Sequence, residues 1–423
     1  MMVIMISYRL FILNSIFLFF TASVLLKMVQ KSIVSVVDFG ILFFTLFVGF
    51  LLNKLIVFNN IITKQSIYYL IFLAYIVFNI VFFSLYRVFE LKIDFFDIFL
   101  TNIFEFKVWI ISFFLFMIYF LLKDIDKDKF EIFIILLLKI GLIYTFIEQF
   151  ISLVGGRVLF ETIYSKTGIV TENLLGLKSL GLYRVWGVIG STHLLGIYHL
   201  ILVSYYMFSK RTSIFWLIMS ILGVILSTSK TAYIILLLML FIYLIIKRKY
   251  FLLSMITIPL LLGIVYLIPH LDKNFIESFL NFFYILIGEL KVDNEISVYE
   301  QVLINFNQYS FLIGQGINYS YAGIEQLPIE LKKYYYISAD FSFLSFINQF
   351  GIVGYLLFSF VFFFYLINNF IKNKNREHNM NLIILWLGTF HYPIFISKLI
   401  MLYISYSIYI VYFKNKEQNN WKI

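Results

Sequence analysis

The chain has 423 residues, of which 62% are hydrophobic, 21% aromatic and 13% charged, with a mean hydropathy of +0.94 and a formal net charge of +10 at pH 7. So little polar surface cannot coat a soluble globule, and recurrent apolar runs of about 20 residues match the thickness of a bilayer core, so the sequence predicts an integral membrane protein. The absence of cysteine excludes disulfides, thiolate nucleophiles and cysteine-based metal sites, and so small a surplus of charge leaves no footprint for nucleic acid.

Apolar runs lie near residues 8–26, 33–52, 67–86, 106–122, 131–153, 189–208, 213–227, 231–246, 250–268, 342–367, 382–396 and 399–413. They predict an all-α polytopic membrane protein of about twelve transmembrane helices, forming a single transmembrane domain over 1–423. The first run is long and ends at Lys27 without a small-x-small cleavage site, so it reads as a retained span rather than a signal peptide. The interval 269–340 is too polar for lipid and too aromatic for a flexible linker. It reads as an ordered extracytoplasmic loop that roofs an active site. Residues 274–290 within it are apolar enough to suggest a further span. Glu277, Asn281 and Glu289 interrupt them, so an interfacial helix is the better reading.

Basic residues set the orientation. With both termini cytoplasmic, the inside connections hold Lys54 and Lys64; Lys123, Lys127 and Lys129; Lys210 and Arg211; Lys247, Arg248 and Lys249; Lys372, Lys374 and Arg376; and Lys414, Lys416 and Lys422. A thirteenth span would turn the last two groups outward. The charge pattern rejects it.

Up to about Phe150 the chain reads as scaffold. Lys139 is an intramembrane charge, a functional flag by type, but it also reads as a snorkelling lysine. Glu148, nine residues on, lies on the opposite helix face at 100° per residue and is no obvious partner for it.

Residues that can carry chemistry begin in the outside interval 154–188, which holds Arg157 and leads through Arg184 into RVWGVIGSTHLLGIYH. Arg184 is suited to bidentate recognition of phosphate, or it anchors a helix end while Gly187, Gly190 and Gly196 pack helices closely. The tight hairpin ILSTSKTAY (225–233) places Lys230 at the outer ends of its helices, as a contact for an anionic headgroup or as a snorkelling charge. After the loop, FLIGQGINYS (311–320) carries Gly314 and Gly316. Asp340 opens the tenth span, where it serves as a helix N-cap or points toward whatever the roof covers.

Taken in order, these pieces resemble the O-antigen polymerase and ligase family of bacterial membrane glycosyltransferases. The Arg-x-x-Gly-rich approach to a mid-chain span is matched by Arg184, Gly187, Gly190, His193 and Gly196. The Ser-Arg-Thr/Ala hairpin is matched by Ser229, Lys230, Thr231 and Ala232, the Gly-x-Gly element by Gly314 and Gly316, and the closing Gly-ϕ-ϕ-Gly by Gly351 to Gly354. The resemblance covers about residues 184 to 358. Lysine replaces the usual arginine at 230, and Asp340 stands where ligase-like members open their motif with histidine, which points to the polymerase branch.

The resemblance implies polymerisation of lipid-linked oligosaccharide repeat units into O-antigen or capsular polysaccharide, on the outer side of the bacterial cytoplasmic membrane. The donor would be a glycan on an undecaprenyl pyrophosphate carrier, and a flippase and a chain-length regulator are the partners such an enzyme would work beside. Arg157, Arg184 and Lys230 are the candidate pyrophosphate ligands. Asp340 is the candidate base for the sugar hydroxyl, with His193 in reserve. The pyrophosphate already activates the anomeric carbon, so neither metal nor cofactor is expected. A ligase of the same family and a non-enzymatic flippase of lipid-linked oligosaccharide remain as alternatives. Carriers are expected to place charged or broken helices at the midplane, whereas here the polar residues gather in one outside loop.

Overall fold

The computed structural model describes residues 64–91, 124–166, 178–179, 182–189, 191–211, 213–249, 312–314, 342–372, 375–389 and 398–413. Of these residues 88% are helical. In chain order the elements are α1 (Lys64–Leu91), α2 (Asp124–Ile151), a π turn (Ser152–Gly156), α3 (Arg157–Lys166), β1 (Lys178–Ser179), β2 (Leu182–Tyr183) and a 3-10 turn (Gly187–Ile189). There follow α4 (Thr192–Phe208), α5 (Ile214–Leu226), α6 (Lys230–Ile246) and α7 (Ser342–Ser359), then a π turn (Phe360–Phe364), α8 (Tyr365–Ile371), α9 (Arg376–Gly388) and α10 (Lys398–Tyr412). β1 and β2 form an antiparallel pair in which Lys178 faces Tyr183.

Two stretches, Phe130–Thr162 and Phe350–Ile371, are helical, long and apolar enough to cross a membrane. The runs expected at 8–26, 33–52, 106–122 and 250–268 lie outside the described residues, as does the loop 269–340 except Leu312–Gly314.

The chain forms two units by internal contact. The first holds the start of α1, α2 to α5, the first turns of α6, and the region from Leu357 onward. α4 carries apolar side chains on every face, as a core helix or a membrane span does. It packs on α2, α5 and α9, and almost every residue from Leu194 to Met207 is buried. Glycines bring its neighbours close. A Cβ on Gly141 would meet the Tyr198 ring, and one on Gly223 would lie 3.1 Å from the His199 ring, the close approach that small residues permit between apolar helices. Two polar contacts lie inside: the Tyr198 hydroxyl donates to the Leu137 carbonyl at 2.9 Å, and Thr145 Oγ1 meets His199 Nε2 at 3.1 Å.

An aromatic cluster joins the start of α1 to the later helices of this unit. Tyr69 stacks on Tyr412 with centroids 5.8 Å apart, and Phe72 packs on Phe358 and Phe362 at 5.9 and 5.7 Å. Tyr412 also stacks on Tyr365 at 5.3 Å, and its hydroxyl donates to the Val361 carbonyl within the π turn. Each such ring pair contributes about 0.5–1.5 kcal/mol beyond the area it buries.

In the second unit the Asn79 amide donates to the Ile313 carbonyl at 2.6 Å. Gly351 takes φ +69 and lies so close to Leu312 that a Cβ would collide with the Leu312 carbonyl. Only glycine meets both demands without strain. Leu312, in the stretch 311–320 that carries Gly314 and Gly316, and the glycine opening Gly351–Gly354 are therefore packed on one another.

Candidate functional site

The site is built on the end of α2. Beyond Lys139 the chain is apolar apart from Tyr144 and a stripe of Thr145, Glu148, Gln149 and, at the start of the π turn, Ser152, spaced three or four residues apart and so on one face. All four are buried, Glu148 completely at 0% exposure. A buried carboxylate must be paired, and Glu148 is paired three times. It accepts from Gly187 N at 2.8 Å, from Trp186 N at 3.1 Å and from Arg157 Nη1 at 3.3 Å.

Arg157 reaches Glu148 because the chain kinks between them. Gly155 sits at φ +96 with open space where a Cβ would stand, and α3 starts two residues later. The arginine is 5% exposed. Its Nη1 also approaches Ser152 Oγ at 3.5 Å, Nη2 donates to the Arg184 carbonyl at 3.1 Å, Nε lies 3.6 Å from Glu161 Oε1, and the guanidinium stands 5.5 Å from the Tyr183 ring centroid. The Gln149 amide, turned with its nitrogen toward the Tyr183 carbonyl, makes both backbone bonds of that residue at 3.1 and 3.3 Å. Tyr183 to Gly187 is thus held residue by residue against α2 and α3.

The candidate residues fare differently within this frame. Arg157 has its guanidinium committed to Glu148, Glu161 and the Arg184 carbonyl, so it holds the strand segment in place. Arg184 has its backbone fixed while its side chain is partly buried and makes no hydrogen bond or ion pair among the described residues. It is the arginine left available for a ligand.

His193 lies in the first turn of α4 and is partly buried. The preceding Ser191 caps that helix, accepting from Leu194 N at 3.5 Å, as serine does well at this position. Gly187, at φ +59, packs on Leu195 of the same turn. A Cβ on Gly196 would lie 2.5 Å from Ala232 Cβ and 2.9 Å from Ser227 Oγ, so α4 rests directly on the hairpin between α5 and α6. In that hairpin Thr228 takes φ 53, Ser227 Oγ donates to the Val224 carbonyl at 2.6 Å, and Ser229 Oγ accepts from Ala232 N at 3.4 Å to cap α6. Lys230 is the first residue of α6, and only its backbone is among the described residues.

Arg184, His193 and Lys230 therefore share one end of the first unit. Asp340 lies outside the described residues, as do Gly190 and Gly316. Glu148, Gln149 and Ser152, which fix Tyr183 to Gly187, were not read as site residues. The polar stripe was the available signal. Among the described residues no cluster of three His, Asp or Glu side chains is arranged to hold a metal ion. Compared with known proteins, the chain matches no family model, no curated protein and no solved structure.

Proposed function

We propose that the chain is a multi-pass enzyme of the bacterial cytoplasmic membrane, with both termini cytoplasmic and about twelve spans, that polymerises lipid-linked oligosaccharide units into O-antigen or capsular polysaccharide. The observation that carries this reading is the pairing of its two basic motifs. The Arg184–Gly196 segment and the Ser227–Ala232 hairpin, both singled out by resemblance to the O-antigen polymerase and ligase family, touch at Gly196, while the Arg184 side chain has no protein partner among the described residues.

The chemistry asked of such a site is modest. A hydroxyl at the non-reducing end of one lipid-linked unit attacks the anomeric carbon of the growing glycan. The bond from that carbon to the carrier pyrophosphate breaks, and the bonding pair leaves with the pyrophosphate. Arg184 and Lys230 supply positive charge where negative charge develops on the leaving group, the arrangement in which fixed charges contribute most. Asp340 accepts the hydroxyl proton, with His193, one helical turn from the hairpin contact, as the second candidate. The long carrier chain lies in lipid throughout, so the enzyme needs only to hold its head.

The test is replacement of Arg184 by Ala and of Asp340 by Asn, separately, at matched membrane levels, with surface glycan resolved by length. Both variants are expected to retain single-unit product and lose the multi-repeat ladder. A wild-type ladder in both would overturn the site. Loss of single-unit product as well would point to ligation rather than polymerisation.

A further inference from the structure

Lys139 is a charge within Phe130–Thr162, a helix apolar enough to cross a bilayer, and neither the candidate site nor the hydrogen-bond network around α4 uses it. Its ammonium lies 4.6 Å from the ring centroid of Trp216, the third residue of α5, and 5.7 Å from that of Tyr206, near the end of α4. The side chain thus rises to the level where α4 ends and α5 begins. A tryptophan and a tyrosine at that level are the usual furniture of a membrane–water boundary. The rings cover two sides of the ammonium, but a ring face carries no net charge. Among the described residues Lys139 has no carboxylate partner, and it is partly exposed. Exposed Lys210 and Arg211, in the connection beside it, add positive potential at the same end.

Below the ammonium the surface is apolar. α2 packs on α5, with Leu142 against Gly223. Along this seam α2 exposes Leu136 and Ile140, and α5 exposes Ile214 and Ile218, each 51 to 76% accessible. A cation at the mouth and two apolar rails beneath it match one kind of occupant, a molecule with an anionic head and a hydrocarbon tail.

We propose that the seam between α2 and α5 is a binding site for one anionic glycerophospholipid, its phosphate paired with Lys139 beside Trp216 and Tyr206 and an acyl chain lying along the exposed faces of both helices. A zwitterionic headgroup carries its own ammonium and offers Lys139 no net charge. A lipid such as phosphatidylglycerol does, and this difference sets the expected preference. The site is independent of the glycosyl-transfer reading, since it needs neither Arg184 nor Lys230.

The experiment uses the full chain in phosphatidylcholine nanodiscs containing increasing phosphatidylglycerol with brominated acyl chains. The Trp216 signal is taken as the difference between wild type and Trp216→Phe. Wild type is expected to reach half-quenching at about fivefold less phosphatidylglycerol than Lys139→Gln, the scale of one basic residue at an anionic surface, and Lys139→Arg is expected to stay near wild type. Brominated phosphatidylcholine should quench all of them alike. Coincident phosphatidylglycerol curves for wild type and Lys139→Gln overturn the proposal. So does equal quenching of wild type by the two lipids, which decides the matter even where the glutamine variant does not fold. Displacement by inorganic phosphate alone would replace the lipid with a small-anion site.

Discussion

The two ends of α2 solve one problem in two ways. Each sets a carboxylate against a base brought from another segment, at positions 17 residues or about 25 Å apart along the helix. At one end Glu148 faces Arg157 and two backbone N–H groups. At the other, Glu131 Oε1 lies 3.8 Å from His378 Nε2 of α9, which also stands 3.9 Å from Glu377 Oε1 and shares Nδ1 with Ser407 Oγ at 3.2 Å. The first end is a lock beneath the candidate site, closed by a guanidinium and two backbone N–H groups. The second joins α2, α9 and α10 through a histidine, two carboxylates and a hydroxyl.

The largest effect expected is from breaking the lock. Glu148→Ala takes from a buried guanidinium its more deeply buried carboxylate partner and from the N–H groups of Trp186 and Gly187 the carboxylate they share, which should cost about 3–5 kcal/mol. Thermal unfolding in detergent, followed by tryptophan fluorescence, measures it. Glu148→Gln keeps an oxygen for Gly187 N and should lose less. A loss below about 1 kcal/mol, the value of an ordinary hydrogen bond, would show that Arg157 finds another partner.

The sequence made one side of this comparison visible and hid the other. Long apolar runs leave the backbone little choice but helix, so 213–227, 231–246 and 399–413 appear as Ile214–Leu226, Lys230–Ile246 and Lys398–Tyr412. The tight hairpin at Lys230 and the close-packing role of Gly196 were legible for the same reason. Residues 154–166 belong to the outside interval 154–188 expected from the sequence. In the structure they continue the helix past Gly155 and turn Arg157 inward. That choice depends on Glu148 meeting Gly187, 39 residues away, and local pattern carries no information about such a pair. The same holds for His378, one of whose two acids, Glu131, comes from a helix distant in sequence. Of the proposed catalytic set, Arg184, Lys230 and His193 can be placed on the fold, whereas Asp340 lies outside the described residues.

A smaller loss is expected at the other end of α2. His378→Ala removes the group lying between Glu131 and Glu377 and leaves Ser407 Oγ without its ring partner, at a cost of about 1–3 kcal/mol. Circular dichroism melts of His378→Ala, set beside those of Glu148→Ala, would test it, and a loss at His378 as large as that at Glu148 would erase the distinction between the two ends.

The smallest effect concerns Glu377 itself, which precedes the apolar run 382–396. Burial first of all, opposed by a bond to its own backbone and by the charge of Lys210, raises its carboxyl above the ordinary 4.5. Between 4.5 and the raised value the folded chain binds a proton that the unfolded chain does not, so stability falls as pH rises through that window. The stabilising share is complete below 4.5 and gone above the raised value. Glu377→Gln resembles the protonated side chain at every pH. Its melting temperature should therefore exceed that of wild type at pH 8, and the gap should narrow on acidification toward pH 5. A gap that stays constant, or a wild type more stable than the variant at pH 8, would mean that Lys210 and His378 more than offset the cost of burying the charge, and the second end would then be a lock like the first.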